Sequence, residues 1–511
     1  MKTADHTTSP WHHAATLTLE SGPPGWGAVD VCVVGAGIAG LTTAYLLAKA
    51  GRRVILVDEG PIGGGETSRT SAHLASAIDN RMTKMELVHG EGGAKLAVAS
   101  HAAAIDLIEF IARDEHIDCD FARLPAYLLA SNDAERVELA REGAAARRAG
   151  LSAEFVERGP LPGLAGPALR FANQGRFEPM KYMAGLADAA RLEGVRMRGG
   201  CRVTEVRGAR PRAGASPTAV LSNGEVVEAE AIVVATNTPG PIVAWSGVYF
   251  KQAAYRTYMI GIHTPRGAIA DALYWDTADP YHYARVVAAS EGGDDVLLVG
   301  GEDHRTGQIP ADHAPFEALE RWARASFPPL GDVVSRWSGQ VLEPTDGLAF
   351  IGRVPSVGDG VFVITGDSGM GLTHGTLGAR LVADLVLGHP NPWRELYDPQ
   401  RKPMHTLGAY ATENLNTAAQ WFDHVTSGDT RDVDTIAPGC GAIVRKGLSK
   451  LAVYRDDRGE LHTCSAVCPH LGAVVEWNPI ERSWDCPAHG SRFAATGETL
   501  AGPATTDLPR P

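Results

Sequence analysis

Three features of this 511-residue sequence predict an α/β body followed by a small all-β domain at the C-terminus. A glycine-rich turn between a β-branched strand and a helix, within residues 30–58, is typical of a parallel α/β sheet. Helical periodicity at 81–170 and aromatic, strand-like segments at 245–310 predict an interleaved α+β domain. Short strand signals recur from about 429 to the C-terminus, as in small all-β modules.

Composition and charge exclude several classes of function. The net charge is −13 and no basic cluster could follow a phosphate backbone, so a nucleic-acid partner is not expected. No apolar run reaches the about 18 residues that span a bilayer. The tail at 1–28 does not have the pattern of a signal peptide. Seven scattered cysteines indicate a reducing compartment, so a cytoplasmic protein is the simplest interpretation.

Residues 30–58 carry the first motif, a G-x-G-x-x-G turn inside a βαβ unit. Gly35 permits the tight turn, Gly37 lets the backbone approach a pyrophosphate, and Gly40 lets the helix and the strand pack closely. The helix N-terminus offers N–H donors, and Asp58 can accept a hydrogen bond from a ribose hydroxyl. The unit is Rossmann-like and predicts a dinucleotide site, although by itself it does not distinguish FAD from NAD.

Later segments favour FAD. A small, hydroxyl-rich loop at 63–73 follows the second strand, and a glycine-rich segment at 366–375 opens a late helix whose N–H groups could hold a second part of the cofactor. Further motifs are Val233–Asn237, Trp337–Gln340, Glu343–Leu348, Ile351–Arg353 and Asn391–Trp393. Over residues 30–400 this set resembles the D-amino-acid-oxidase-like, or glycine-oxidase-like, superfamily of FAD-dependent oxidoreductases.

The resemblance implies which residues hold FAD. The expected FAD-binding residues are Gly35, Gly37, Gly40, Asp58, Thr70, Ser71, Gly369 and Gly371, with a backbone contact from Val203 to the adenine. Some relatives attach FAD covalently through a histidine in the loop that here contains His73. The local pattern is not a clean match, so noncovalent FAD is expected.

The aromatic segments are expected to cover the flavin and bind the substrate. Family members that oxidise amino acids usually bind the carboxylate through an arginine, and the candidates are Arg256, Arg285 and Arg305. We favour Arg285, since strand alternation places it on the same face as Tyr281 and Tyr283. Further candidates for orienting the substrate or moving a proton are His282, Tyr258 and Tyr283. Packing and salt-bridge roles are the alternative for each of them.

Two loops near the C-terminus each present a thiol and an imidazole, as Cys468-Pro-His470 and Cys486-Pro-Ala-His489. A [2Fe–2S] cluster needs four ligands, and in a Rieske centre two histidines replace two cysteines on one iron. Cys468 and Cys486 would bind one iron, and His470 and His489 the other. The alternatives are a Cys2His2 zinc site and four unrelated residues, but zinc sites usually open with C-x₂₋₄-C rather than C-x-H.

From Ala442 to Leu508 the sequence resembles Rieske ferredoxin-like domains. The respiratory type has an additional cysteine in each cluster loop, and the two form a disulfide. Ala473 and Ala488 occupy those positions here. The missing bridge predicts a potential in the lower part of the Rieske range of roughly −150 to +300 mV.

The whole chain resembles oxidoreductases with this domain order. FAD-binding segments are expected at about 29–80, 171–244 and 336–400, substrate-domain segments at 81–170 and 245–335, a linker at 406–428 and the Rieske domain at 429–511. We expect a dehydrogenase that oxidises an amine or amino-acid-like C–N bond and passes electrons from FAD through the cluster to an external protein or quinone. The alternatives are an O₂-using oxidase with a structural cluster, a flavoprotein that receives electrons through the cluster, and a redox sensor without turnover. The sequence does not predict the oligomeric state.

Overall fold

The computed structural model describes residues 7–13, 17–19, 25–210, 215–240, 247–289, 292–309, 313–402, 428–430, 432–447 and 449–511. The linker predicted at 406–428 lies outside the described residues except for its last residue, and so do parts of the tail at 1–28.

The helices and strands follow the chain in this order. The α-helices are α1 (Ile38–Lys49), α2 (Met82–Asp114, interrupted at Gly90), α3 (Arg136–Arg148), α4 (Pro179–Leu192), α5 (Pro315–Ser326), α6 (Gly371–Leu387) and α7 (Arg394–Tyr397). The first strands are β1 (Val31–Val34), β2 (Val54–Val57), β3 (His73–Leu74), β4 (Ala122–Leu129), β5 (Ala153–Val156), β6 (Ala168–Arg176), β7 (Arg196–Arg198), β8 (Val203–Arg207), β9 (Thr218–Leu221), β10 (Val226–Glu228) and β11 (Ala231–Asn237). The next are β12 (Gln252–Thr264), β13 (Leu273–Asp276), β14 (His282–Val287), β15 (Asp295–Arg305), β16 (Val333–Pro344), β17 (Phe350–Arg353) and β18 (Val361–Thr365). The last are β19 (Gly441–Lys446), β20 (Ser449–Arg455), β21 (Leu461–Ser465), β22 (Glu476–Asn478), β23 (Ser483–Asp485), β24 (Arg492–Ala494) and β25 (Thr499–Ala501).

A six-stranded central sheet has the order β17-β18-β11-β1-β2-β7, and all its pairs are parallel except β17 with β18. Its inner strands are β-branched and buried because both faces are covered. Val31 and Val33 share a core with α1 and α6, whereas Cys32 and Val34 pack against the small antiparallel sheet β8–β10. The predicted Rossmann-like fold is confirmed.

A nine-stranded large sheet forms the interleaved domain, with the order β16-β12-β15-β14-β13-β4-β6-β3 and β5 beside β6. Its strands come from both expected substrate segments. It also includes β3, β6 and β16, so parts of all three expected FAD-binding segments contribute strands to this sheet. The long helix α2 packs against α6 of the central sheet and joins the two layers.

The C-terminal domain consists of two small antiparallel sheets, β19-β20-β21 and β22-β23-β24-β25. Both cluster loops lie within it, between β21 and β22 and between β23 and β24. The predicted small all-β module is confirmed. Among the described residues, no helix is both long and apolar enough to cross a membrane.

Candidate functional site

A cavity of about 360 Å³ opens where the carboxyl ends of β1, β2 and β11 meet the N-terminus of α6. Ligands bind in this crevice in open α/β sheets. The wall runs from Gly35 and Asp58 to Thr257 and Tyr283 of the large sheet. One cavity therefore reaches both the region where the sequence predicts a dinucleotide and the region where it predicts a substrate.

Two of the three glycines of the turn, Gly35 and Gly40, occupy positions where a side chain would collide with the backbone. Gly35 has a φ of +107°, and a Cβ there would lie 2.5 Å from the carbonyl oxygen of Ala235. A Cβ on Gly40 would lie 1.8 Å from the carbonyl oxygen of Gly35, so α1 packs directly on the turn. Gly37 precedes α1 and lies in the cavity wall. A backbone cradle of this form fits a pyrophosphate at a helix N-terminus.

Asp58 lies at the end of β2, in the cavity wall. Its carboxylate accepts hydrogen bonds from the N–H groups of Ala36 and Gly60, both at 2.7 Å. Burial raises the pKa of Asp58, and these two donors act in the opposite direction. The carboxylate thus stabilises the glycine turn. It also lies in the wall of the cavity, where the sequence predicts the ribose of the dinucleotide.

The other predicted FAD residues surround the same cavity. Thr70, Ser71, Val203, Gly369 and Gly371 all contribute to its wall. Gly369 has a φ of +69°, and a Cβ there would lie 2.9 Å from a carboxylate oxygen of Asp79. Gly40 is not part of the wall, because its role is to let the helix approach the turn.

The two cluster loops have matching backbone geometry. In the first, the N–H of Gly472 bonds to the carbonyl of Cys468 at 3.0 Å, and in the second the N–H of Gly490 bonds to the carbonyl of Cys486 at 3.0 Å. Gly472 and Gly490 have φ values of +83° and +78°, which explains why a glycine closes each loop.

The four predicted ligands converge. The thiols of Cys468 and Cys486 interact with each other, and this contact lowers the pKa of Cys468 below its usual value. The rings of His470 and His489 are 5.1 Å apart between centroids. Burial lowers the pKa of both histidines to about 4, so both are neutral, as metal ligands must be. Neither buried ring nitrogen of His489 has a hydrogen-bond partner within the protein, which fits a metal ligand.

Comparisons with known proteins agree with this geometry. The sequence model of the FAD dependent oxidoreductase family matches residues 30–385, and that of the Rieske [2Fe-2S] domain matches residues 428–511. The chain belongs to the FAD-dependent oxidoreductase family. It carries a C-terminal Rieske domain, and its cofactors are FAD and a [2Fe–2S] cluster.

Relatives cover both parts of this FAD-dependent oxidoreductase. It is 29% identical to the Rieske 2Fe-2S iron-sulfur protein YhfW of Bacillus subtilis, over 94% of this chain and 92% of that protein. It is 26% identical to gamma-glutamylputrescine oxidoreductase of Escherichia coli, over 70% and 84% of the two chains. The crystal structure of glycine oxidase from Geobacillus kaustophilus has the same fold, with a TM-score of 0.62, 21% identity, and coverage of 73% of this chain and 99% of that one.

Arg285, our first candidate for binding a substrate carboxylate, lies outside the cavity wall. Tyr281 and Tyr283 do line the cavity, and Arg285 shares their face of the sheet as predicted. It lies farther along β14, however, where its guanidinium donates to the carbonyls of Ala72 (3.1 Å) and Phe177 (3.3 Å). The buried guanidinium therefore supports the backbone beside the cavity and does not point into it.

His282 and Tyr258 lie on the opposite face of the large sheet from the cavity, because strand alternation turns them away from Tyr283 and Thr257. His282 bonds to Asp276 at 2.9 Å and to Glu302 at 3.2 Å, and its ring stacks on a tryptophan. The hydroxyl of Tyr258 bonds to His304 at 2.9 Å. Neither residue lines the cavity, and both make their hydrogen bonds to other side chains of the body.

Neither of the other two arginine candidates lines the cavity. Arg256 is fully buried and faces the Rieske domain, where it pairs with Glu481 at 3.4 Å. The guanidinium of Arg305 stacks on the ring of Tyr255 at 5.8 Å.

Four buried carboxyl groups that the sequence did not predict lie in or beside the cavity wall, and Asp79 and Asp367 line it. Burial raises the pKa of Asp79 to about 6, of Asp303 and Asp367 to about 7, and of Glu343 to about 8, and repulsion from other members of the group also raises the pKa of Asp303 and Glu343. We call these four residues the carboxyl cluster. In the sequence, Glu343 and Asp367 lie inside family motifs, but those motifs do not indicate a group of carboxyl side chains at the substrate end of the cavity.

The Rieske domain is in direct contact with the cavity wall. Gln340 lines the cavity, and its side-chain amide donates to the carbonyl of Gly490, the residue after His489, at 2.8 Å. The ring of Tyr249 lies 5.3 Å from that of His470, and its hydroxyl donates to the carbonyl of Gly240 in the wall. Residues 499–502 and 504–505 complete the wall from the Rieske side.

Proposed function

We propose that the protein is a dehydrogenase that oxidises an amine or amino-acid-like C–N bond and passes the electrons through the cluster to an external acceptor. The observation that carries this proposal is the position of Gln340, which lines the cavity and holds the cluster loop at Gly490. FAD, when bound, takes two electrons at once, and a [2Fe–2S] cluster takes one at a time, which gives the fusion a chemical purpose.

We propose that the nine predicted residues hold FAD, with the pyrophosphate at the turn formed by Gly35, Gly37 and Gly40. The substrate is then bounded by Thr257, Met259, Trp275, Tyr281 and Tyr283 of the large sheet, which exclude water from it. We also propose that Cys468, His470, Cys486 and His489 are the ligands of the cluster.

Within this class, an amine is favoured over a substrate bound by its carboxylate. The arginines in the described cavity wall, Arg69 and Arg202, already form ion pairs, with Glu481 and Glu59. Asp79 of the carboxyl cluster lines the cavity, and with a pKa of about 6 it is ionised at neutral pH, so it offers negative charge to an ammonium group instead. The relatives named for glycine and for gamma-glutamylputrescine support a small substrate with an amino group.

For the acceptor we propose a protein or a quinone, and the net charge of −13 favours a basic protein. We also propose a cytoplasmic location. All seven cysteines lie in the described residues and none forms a disulfide, as expected in a reducing compartment.

Anaerobic mixing with a panel of amines tests the proposal. An amine that is a substrate should bleach the flavin, and the Rieske absorption and electron paramagnetic resonance (EPR) signal should then report reduction of the cluster. In Cys468→Ser the flavin should still bleach, without the second phase. Cys464→Ser is the matched control, because Cys464 is a buried thiol of the same domain outside the cluster loops. Undiminished peroxide formation by Cys468→Ser in air would instead support an oxidase. Flavin that is reduced only through a reductase would support electron flow from the cluster to the flavin.

A further inference from the structure

Glu481 is a fully buried carboxylate of the Rieske domain that has its side-chain partners on the flavin-binding body. It lies in the turn between β22 and β23, where its N–H and that of Ile480 donate to the side-chain oxygen of Asn478, each at 3.0 Å. The turn is therefore fixed within the domain. Its carboxylate is directed out of the domain, and 0% of its side chain is exposed.

The partners of Glu481 come from separate parts of the body. Arg256 of β12 lies 3.4 Å away and Arg69 of the loop after β2 lies 3.3 Å away. The hydroxyl of Ser338 in β16 accepts a hydrogen bond from Arg256 and donates one to Glu481. The hydroxyl of Thr7, in the N-terminal tail, donates to Glu481 at 2.6 Å. We call Glu481, Arg256, Arg69 and Ser338 the clamp.

The clamp and the cluster loop contact the same two strands, β12 and β16. Arg256 pairs with Gln340 across β12 and β16, and Gln340 is the residue that donates to Gly490 of the cluster loop. Gly490 fits against the same strands without space for a side chain, since a Cβ there would lie 2.3 Å from the Cβ of Ala254. Attachment at two points on adjacent strands fixes the orientation of the Rieske domain as well as its position.

We propose that Glu481 is a positioning residue that holds the Rieske domain in one docked orientation, so that the cluster works as a fixed rather than a swinging electron carrier. The inference rests on the proposed electron transfer from flavin to cluster. Its physical basis is that a buried carboxylate paired with arginines is strongly disfavoured once a partner is removed. Lifting the domain away would separate Arg256 and Arg69 from this carboxylate.

The test is flash photoreduction of the purified holoenzyme, with 5-deazariboflavin as the photoreductant, so that no substrate is needed. The rate of electron redistribution between flavin and cluster is followed optically at increasing glycerol concentrations. For the wild type, the rate should not depend on viscosity. In Glu481→Gln the docked fraction should fall, so the rate should drop about tenfold or more and become dependent on viscosity.

Further variants separate positioning from a general loss of stability. Glu481→Asp keeps the charge and should recover most of the rate, and Ser338→Ala should show a smaller slowing in the same direction. The matched control is Arg482→Gln, because Arg482 pairs with Asp457 at 2.9 Å inside the Rieske domain. Its rate should equal that of the wild type, and the EPR signal should be unchanged in all four variants.

The outcomes distinguish this inference from the proposed function. Redistribution that is absent in the wild type would overturn electron transfer between the two cofactors. Redistribution that depends on viscosity in the wild type, or that is unchanged in Glu481→Gln, would leave the transfer in place and overturn the fixed carrier.

Discussion

Replacing Glu343 with glutamine should change how the stability of the protein depends on pH. Glu343 lies at the end of β16, where it accepts a hydrogen bond from Ser368 at 3.0 Å. Burial, then the charges of Asp367, Asp79 and Asp303, raise its pKa from 4.5 to about 8. Between these two pH values the folded protein keeps a proton that the unfolded chain has released. The free energy of unfolding therefore falls as the pH rises through this range.

The size of the effect follows from the pKa difference. A pKa difference of about 3.5 units, at about 1.36 kcal/mol per unit, corresponds to at most about 5 kcal/mol of the free energy of unfolding. This contribution is present below pH 4.5 and is lost by about pH 8. Glutamine is neutral and of similar shape, so Glu343→Gln should match the wild type at pH 5 and be more stable at pH 9. Part of the wild-type dependence belongs to the other members of the carboxyl cluster and should remain.

Thermal unfolding of the holoenzyme at pH 5, 7 and 9, followed by tryptophan fluorescence, measures this difference. The matched control is Glu138→Gln, at an exposed position on α3. Its melting temperatures should follow those of the wild type at each pH. If the melting temperatures of Glu343→Gln and of the wild type changed with pH in parallel, the conclusion that Glu343 is a buried, protonated carboxyl group would be refuted.

Two other substitutions test the cofactor sites, and a third tests the N-terminal tail. Gly40→Ala places a Cβ 1.8 Å from the carbonyl oxygen of Gly35 and should lower the FAD content of the purified protein, measured from the flavin absorption; a full complement of FAD would contradict the tight turn. His470→Cys adds a thiolate charge and should lower the midpoint potential in an EPR-monitored redox titration by roughly 100 mV or more; an unchanged potential would argue against His470 as a ligand. Trp11→Ala removes a buried ring and its 2.7 Å bond to the carbonyl of Thr70, and should cost about 3–5 kcal/mol of stability; a loss below about 1 kcal/mol would show that the tail contributes little.

The cofactor motifs were predictable because each is local in sequence. The glycine turn and the cluster loops contain their functional groups within a few residues, and the chain direction at each turn is set by glycine. These features depend on backbone geometry that short peptides encode.

The substrate residues were not predictable in the same way. The alternation of side chains along a strand correctly placed Arg285 on the same face as Tyr281 and Tyr283. It does not predict how far along the strand the cavity extends. Glu481 and Arg256 are 225 residues apart in sequence, and no pattern in either neighbourhood indicates that they meet. The carboxyl cluster is likewise assembled from four distant segments.

The order of strands in the central sheet also has a consequence for synthesis on the ribosome. β1 pairs with β11, and β11 pairs with β18, so the middle of this sheet is complete only after residue 365 has been made. Each strand of the Rieske domain pairs only with strands next to it in sequence. Local pairing folds faster than pairing across long loops. The Rieske domain therefore has a simpler folding problem than the body that precedes it, whereas the FAD site must wait until β18 has been made.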